Sequence, residues 1–321
     1  LLYRHGYFRQ HIDRDGWQTV SFPSFQPDPL LERLDQVVHM KLYGRDVRVG
    51  IWRTHVVGLR GHRVPILFLD TDLEENAPED RGITCRLYGG DLELRLLQEA
   101  VLGFAGMRAV GLVYPEVRSV HLNEGHTAFA PLERLMSGIP LDEIRRTCHF
   151  TTHTPVPAGH DVFPYDMAER ALGEQLPSNI RDLAGHDSLS MSILALTLSG
   201  SSNGVSKLHG EVSREMFPDF EIGHVTNGVH HTTWVLLKAA TELPDAALLD
   251  AHHRAKRQLL LYANDMTNLG FADSVLTIGF ARRAAAYKRA TLLFRDPERL
   301  ARICGRRVQF IFAGKAHPRD E

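Results

Sequence analysis

An α/β fold built on parallel strands is what this 321-residue sequence predicts. Three observations carry that reading. Short apolar runs of strand length alternate with longer segments whose apolar residues recur at helical spacing, and alternation of that kind marks a parallel sheet. The strand-like runs lead into polar turns rich in Asn, Gly, His and Pro. Composition is that of a globular protein, with 43% hydrophobic and 24% charged residues. The length exceeds one average domain, so two domains, or pieces of two, are expected.

Residues 1–60 ("WQTVSFPSF", "VVHMKLYGRDVRVGIWRTHVVGL") alternate apolar and polar positions with many β-branched and aromatic members, the pattern of strands and hairpins. "VPILFLDT" (64–71) is a continuous apolar run closed by Asp70, as a buried strand with a polar exit would be. "DLELRLLQEAVLGFAGMRAVG" (91–111) has helical apolar spacing, and "SVHLNEGH" (119–126) is a strand entering a polar turn. In 141–163 a helix is followed by the β-branched run "CHFTTHT" and by Pro155 and Pro157, which forbid helix continuation. Residues 192–218 read as an apolar segment, a Ser/Asn/Gly break and a helix beginning near Asn203. A strand running into a Gly/His-rich loop follows at 222–235, then a long amphipathic helix at 246–265. "SVLTIGF" (274–280) restarts a strand–helix unit, and "RRVQFIFAGKAHP" (306–318) supplies another strand and loop. A domain change is expected between about 228 and 274, dividing the chain into 1–228 and 229–321.

The charge balance excludes some partners. Lys and Arg number 37 against 39 Asp and Glu, a formal net charge of −2, so no broad surface for nucleic acid or an anionic membrane is implied. An anion site must be local. Cys85, Cys148 and Cys304 are odd in number and lack CxxC spacing, which argues for a reducing compartment and three small buried hydrophobes. No run of about 18 apolar residues and no signal-peptide plan is present, so a cytoplasmic location without membrane attachment is expected. The chain begins without Met and stops just after a strand-like run, which leads us to expect a central fragment of something longer.

Ligands of open α/β sheets bind beyond the carboxyl ends of the strands. Four predicted strand exits are dense in polar groups: "LNEGH" with Asn123, Glu124 and His126; "THTPVPAGH" with His153, Thr154 and His160; "TNGVHHTTW" with Asn227, His230, His231 and Trp234; and "RRAAAYKR" with Arg282, Arg283 and Lys288. If a helix begins just after Arg283, its N-terminal N–H groups, Arg283 and Lys288 together suit a phosphate. A solvated basic helix face explains the same residues. No Walker or GxGxxG loop occurs. His149 and His153 share a spacing of four, yet HExxH and Cys partners are lacking, so no metal is expected. His126 and His153 are suited to sugar hydroxyls, although local backbone bonding is an alternative for each. Glu124 is a candidate general base, but no second carboxylate stands out, so a paired-carboxylate glycosidase is weakly supported. GxSxG is absent.

Taken in order, "YRHGYFRQHIDRDGWQ" (3–18), "LYGGDLELRLLQEAVLG" (87–103), "HLNEGHTAF" (121–129), "FTTHTPVPAGHDVF" (150–163), "SSNGVSKLHGEV" (201–212), "VTNGVHHTTWV" (225–235) and "YKRATLLF" (287–294) resemble the α-glucan (glycogen/maltodextrin) phosphorylases, in particular their shorter microbial branch. The motifs span nearly the whole chain. The resemblance implies two Rossmann-like domains of glycosyltransferase-B type, both incomplete here, and retaining phosphorolysis of terminal α-1,4-glucosyl units to glucose 1-phosphate with pyridoxal 5′-phosphate as cofactor. It assigns Arg283 and Lys288 to the substrate phosphate and Arg282 and Trp234 to the cofactor. His153 goes to the glucosyl unit, with its carbonyl facing developing positive charge, and Asn227 goes to a sugar hydroxyl. Asn123, Glu124 and His126 fall in the family's active-site loop. The glycine-rich loop that precedes residue 1 in the family and the segment with the Schiff-base lysine are not in this sequence, and neither Lys288 nor Lys315 matches that lysine's motif. The isolated chain is therefore expected to be inactive, the parent enzyme active. The resemblance suggests a homodimer. Rival readings are a nucleotide-sugar glucosyltransferase of the same fold and a non-catalytic glucan-binding fragment.

Overall fold

A computed structural model describes residues 1–13, 15–27, 29–87, 90–234 and 244–316. Tyr88 and Gly89 of the "LYGG" motif, Val235 and the residues beyond 316 of "AGKAHP" lie outside the described residues, as does the side chain of His231. The strands are β1 (Arg9–Ile12), β2 (Gln18–Ser21), β3 (Glu32–Leu42), β4 (Arg45–Val57), β5 (Arg63–Asp70), β6 (Val120–Asn123), β7 (Cys148–Thr152), β8 (Val162–Phe163), β9 (Leu189–Ser190), β10 (Ser201–Gly204), β11 (Gly223–His224), β12 (Leu276–Ala281) and β13 (Val308–Ala313). The helices are α1 (Pro78–Arg81), α2 (Leu92–Ala100), α3 (Gly106–Val113), α4 (Phe129–Met136), α5 (Leu141–Thr147), α6 (Tyr165–Leu172), α7 (Ile180–Ala184), α8 (Met191–Leu198), α9 (Lys207–Met216), α10 (His231–Trp234), α11 (Asp245–Thr267) and α12 (Pro297–Cys304). Two compact units result, one of residues 1–9 and 21–227, the other of 10–20 and 228–321.

The larger unit combines two main sheets with the short antiparallel β8–β9 pair. β3, β4 and β5 form an antiparallel meander. The second sheet has the order β11-β10-β7-β6, and its neighbours are parallel. Its inward positions carry Leu122, Cys148 and Phe150, which join Phe104, Phe129, Leu132, Ile144, Leu194 and Leu198 in one apolar cluster. Fully burying each such side chain contributes about 1.5–3 kcal/mol. The Phe104 and Phe129 rings stack with centroids 4.8 Å apart. Where they meet, Gly103 lets two helical segments touch, since an added Cβ would lie 2.4 Å from Phe129 Cβ. Helical structure runs from Leu92 to Val113 through a π-helical turn at Val101–Ala105. This is the one span among the described residues long and apolar enough to cross a bilayer. Its buried Leu96, Ala100, Val101, Phe104, Ala105 and Ala109 identify it as a core helix of this unit.

In the smaller unit β12 and β13 pair in parallel from Leu276↔Val308 to Ala281↔Ala313. The β1–β2 ribbon belongs to the same unit, with Gln10 and Gln18 bonding backbone groups of Gly314 and Ala316.

Three local expectations are corrected. The run expected at 64–71 forms the strand Arg63–Asp70, but it pairs antiparallel with β4 rather than lying in the parallel sheet, and its first half is exposed. The helix expected near Asn203 starts at Lys207: Ser201–Gly204 is a parallel strand, and Ser206 caps the helix by accepting the His209 N–H. A Ser side chain that accepts that bond fixes the start more strongly than propensity does. Cys85 is half-buried, whereas Cys148 and Cys304 are buried.

Candidate active site

The four parallel strands of the larger unit end on one edge, and their exits carry Asn123 and Glu124 (β6), His153 (β7), and Asn227, which follows β11. The Val225 N–H bonds Gly204 O at 2.9 Å and the Asn227 N–H bonds Val205 O at 3.1 Å, so the β11 exit is tied to the β10 exit. His126 sits on the 3₁₀ turn Gly125–Thr127 directly after β6. Asn123, Glu124, His126, His153 and Asn227 are thereby brought to the carboxyl edge of one sheet, where α/β ligands bind.

Glu124 organises this edge. Its φ is +74°, a left-handed value that costs a non-glycine residue roughly 1–2 kcal/mol. Four donors offset that strain. Oε2 accepts the His153 N–H at 2.7 Å and the Thr154 hydroxyl at 3.1 Å, while Oε1 accepts the Thr152 hydroxyl at 3.2 Å and the Gly125 N–H at 3.2 Å. At roughly 1 kcal/mol or more each, these bonds outweigh the backbone cost. The carboxylate proposed from sequence as a general base is thus committed to holding the His153 segment.

His160 holds the far side of the same loop. Its Nε2–H donates to Thr154 O at 3.0 Å, and its Nδ1 lies 2.7 Å from Ser192 Oγ. The carbonyl can only accept, so the proton is on Nε2. The ring packs edge-on against Phe217 with centroids 5.3 Å apart. Gly159 closes the turn, and a Cβ there would strike Thr154 Cγ2 at 2.1 Å.

Beneath the exits one face of the sheet is polar. His121 Nε2 lies 2.8 Å from Thr151 Oγ1, Thr151 donates to Asn203 Oδ1 at 3.0 Å, and His149 Nε2 reaches the same oxygen at 2.6 Å. The His121 and His149 rings meet edge to face at 4.8 Å. Burial, then His149 and His153, push the His121 pKa below its ordinary value. Burial, then Arg95, do the same to His126, which makes a neutral imidazole the favoured form at both positions.

In the smaller unit Arg282 and Arg283 follow β12 directly and are exposed, and Lys288 is half-buried with Nζ 4.4 Å from the Tyr287 ring centroid. The helix expected after Arg283 does not form there. Residues 282–285 are non-helical, pinned by Arg282 N–H to Ala313 O (3.1 Å) and Ala284 N–H to Lys315 O (2.8 Å), and only 3₁₀ turns at Ala286–Lys288 and Ala290–Phe294 follow. Pairing with the β13 exit keeps the chain extended, so no helix dipole assists an anion at Arg283. Among the described residues none of Arg282, Arg283 and Lys288 is in an ion pair. Trp234 ends the short α10 and is 77% exposed. No group of three or more metal-ligating side chains occurs among the described residues.

No family model matches the sequence. Individual proteins do. The maltodextrin phosphorylase of Thermococcus litoralis is 35% identical over 398 residues, covering 100% of this chain and 46% of its own length. The glycogen phosphorylase of Mycobacterium tuberculosis is 37% identical over 410 residues, again across 100% of this chain and 47% of its own. The chain is homologous to the glycogen and maltodextrin phosphorylases. A glycogen phosphorylase of Aquifex aeolicus, 33% identical over 401 residues, extends the homology to a further organism, with 56% of its length covered. The chain thus spans about half the length of the phosphorylases it matches.

The sequence reading named residues at the strand exits but assigned no supporting role to those packed with them in the structure: His121, His149, Thr151 and Asn203 on the sheet face, and Arg95, Glu99 and Asp161 behind His126. A signal for the first group was present. "VHLN", "CHFTT" and "SSNG" place polar residues at every second position, which on parallel strands makes a polar face.

Proposed function

We propose that the parent of this chain is an α-glucan phosphorylase: it transfers terminal α-1,4-linked glucosyl units of a glycogen- or maltodextrin-type glucan to inorganic phosphate, with retention, giving glucose 1-phosphate. Homology along the whole chain supports the family and its phosphorolytic chemistry. The observation in the structure that carries the reading is the set Arg282, Arg283 and Lys288, unpaired among the described residues at the exit of a parallel strand. Cations without an anionic partner at that position suit phosphate groups.

In this reading Arg283 and Lys288 hold the substrate phosphate. A phosphate oxygen bonds to glucosyl C1 on the face the glucan leaves, as the C1–O4 bond breaks, and the departing glucan oxygen takes the proton that the substrate phosphate gives up. His153 hydrogen-bonds the glucosyl unit, and its carbonyl faces the positive charge that develops at C1. Asn227 meets a sugar hydroxyl, and Asn123 and His126 line the same edge. Glu124 fixes the backbone of His153 so that these contacts are made without reorganisation during reaction.

Pyridoxal 5′-phosphate fits the donor set, because a second phosphate beside the first requires the additional cation that Arg282 supplies, with Trp234 as an aromatic neighbour. When bound, it supplies a phosphate group able to give and take a proton. We assign two Rossmann-like domains of glycosyltransferase-B type to the parent, divided near residue 228, a cytoplasmic location and a homodimeric state. Turnover is assigned to the full-length protein and not to the 321-residue chain.

The test is phosphorolysis by the full-length gene product. Glucose 1-phosphate formed from maltodextrin and phosphate, with pyridoxal absorbance on the same sample and loss of product in Arg283→Ala, sustains the reading. Release of a nucleoside diphosphate from a nucleotide-glucose without phosphorolysis replaces it with the glucosyltransferase. Glucan binding by the unsubstituted protein with no phosphorolysis product, unchanged in Arg283→Ala and Lys288→Ala, leaves a binding protein.

A further inference from the structure

Behind His126, a single guanidinium faces two carboxyl groups. Arg95 and Glu99 lie one turn apart on α2, with Arg95 Nε 2.7 Å from Glu99 Oε1. Arg95 Nη2 also lies 2.9 Å from Asp161 Oδ2. Asp161 ends the loop that His153 begins, and its backbone carbonyl accepts the Met191 N–H at 3.1 Å. The Glu99 side chain is 2% exposed, and neither of its oxygens receives an aligned hydrogen bond among the described residues. Two ionised carboxylates here would leave one negative charge uncompensated away from water, a costly state. A carboxylic acid at Glu99 removes that charge and gives its proton a neighbouring acceptor.

We propose that Glu99 is a positioning residue, a neutral carboxylic acid that donates a hydrogen bond to Asp161 and so leaves Arg95 free to clamp Asp161 and the loop running back to His153. Arg95 contacts both Glu99 and Asp161, and Asp161 is the charged group that acts on Glu99 most strongly after burial. Tyr3 and His126 adjoin Arg95, and Glu124 and His153 lie beyond His126. The electrostatics agree with the geometry. Burial, then Asp161, hold the Glu99 carboxyl well above its ordinary pKa. Burial alone would raise Asp161, but hydrogen bonds from Arg95 and Glu99 outweigh it and hold that carboxyl below its ordinary value. When Glu99 loses its proton at alkaline pH, the two carboxylates repel across one shared guanidinium and the loop loosens. The consequence for turnover rests on the phosphorylase reading, whereas the proton on Glu99 does not.

The experiment is an NMR titration of the chain labelled with ¹³C at its glutamate side-chain carboxyls, paired with amide exchange of residues 153–161 corrected for intrinsic rate. One resonance stays at the protonated position at neutral pH and disappears in Glu99→Gln. Exchange of the loop rises about tenfold above the pH at which that resonance moves, and the rise is absent in Glu99→Gln, whose amide keeps a donor toward Asp161. Asp161→Asn moves the resonance toward the ordinary carboxylate range. Glutamates that all ionise in the ordinary range overturn the proposal, as does an unchanged rise in Glu99→Gln. Should Glu99→Gln not fold, the wild-type titration and Asp161→Asn decide alone, and a resonance unmoved by Asp161→Asn overturns the pairing.

Discussion

The Glu124 carboxylate accepts the backbone N–H of His153 at 2.7 Å, joining the exits of two adjacent parallel strands through one side chain. The same carboxylate takes the Thr152 and Thr154 hydroxyls on either side. The position of His153 is therefore set as much by β6 as by its own strand.

Removing that side chain leaves donors unmet. Glu124→Ala should destabilise the protein by about 1–3 kcal/mol, measured by urea unfolding. Glu124→Gly loses the same bonds but relieves the left-handed backbone, so it should be less destabilised than Ala by about 1 kcal/mol. Equal losses for the two variants would show that the strain at φ +74° is not expressed in solution.

In the full-length protein, Arg283→Ala should lower kcat/KM for phosphorolysis by about 10²–10³ through lost stabilisation of phosphate charge. Lys288→Ala acts in the same direction. Because the assigned ligand is phosphate and not glucan, maltodextrin affinity measured without phosphate should be unchanged in both variants.

Gly103→Ala tests the helical contact at the centre of the larger unit. The new Cβ meets not only Phe129 Cβ but also the Phe129 carbonyl carbon at 2.8 Å and the Ala130 nitrogen at 2.9 Å, so backbone must move. A loss of about 1–3 kcal/mol is expected in chemical denaturation. Gly111→Ala on α3 meets nothing within 4 Å and serves as the control, with no loss.

Acid should weaken the larger unit through its histidines. His126 and His121 have folded pKa values below the ordinary histidine value, the first by burial and Arg95, the second by burial, His149 and His153. The unfolded chain then binds protons that the folded chain refuses. Stability falls as pH drops below about 6.5 and continues to fall until the depressed folded values are reached. His126→Gln should flatten part of that fall in thermal unfolding scans across the acid range.

Much of the fold was legible because its elements obey one period at a time. The helical spacing of 91–111 and 246–265 appears as the Leu92–Val113 span and as α11, "SVLTIGF" overlaps β12 in all but its last residue, and "RRVQFIFAG" contains β13. The failures have local physical causes. The "SSNG" run has poor strand propensity yet becomes β10, because pairing with β7 on one side and β11 on the other supplies what propensity lacks. After Arg283 the alanines favour a helix, but hydrogen bonds to the β13 exit hold the chain extended. At the candidate site, sequence marks Glu124 as a carboxylate beside a glycine. It cannot show that residues 152–154, nearly thirty positions on, supply three of its four donors.

Convergence of those donors on one carboxylate also governs how the segment moves. A loop stitched by separate bonds frays from its weakest stitch. This one has a common latch, so a single rotation of the Glu124 side chain releases Thr152, His153 and Thr154 together. Opening should therefore be all-or-none, with amides of the segment exchanging in correlated events at one shared rate.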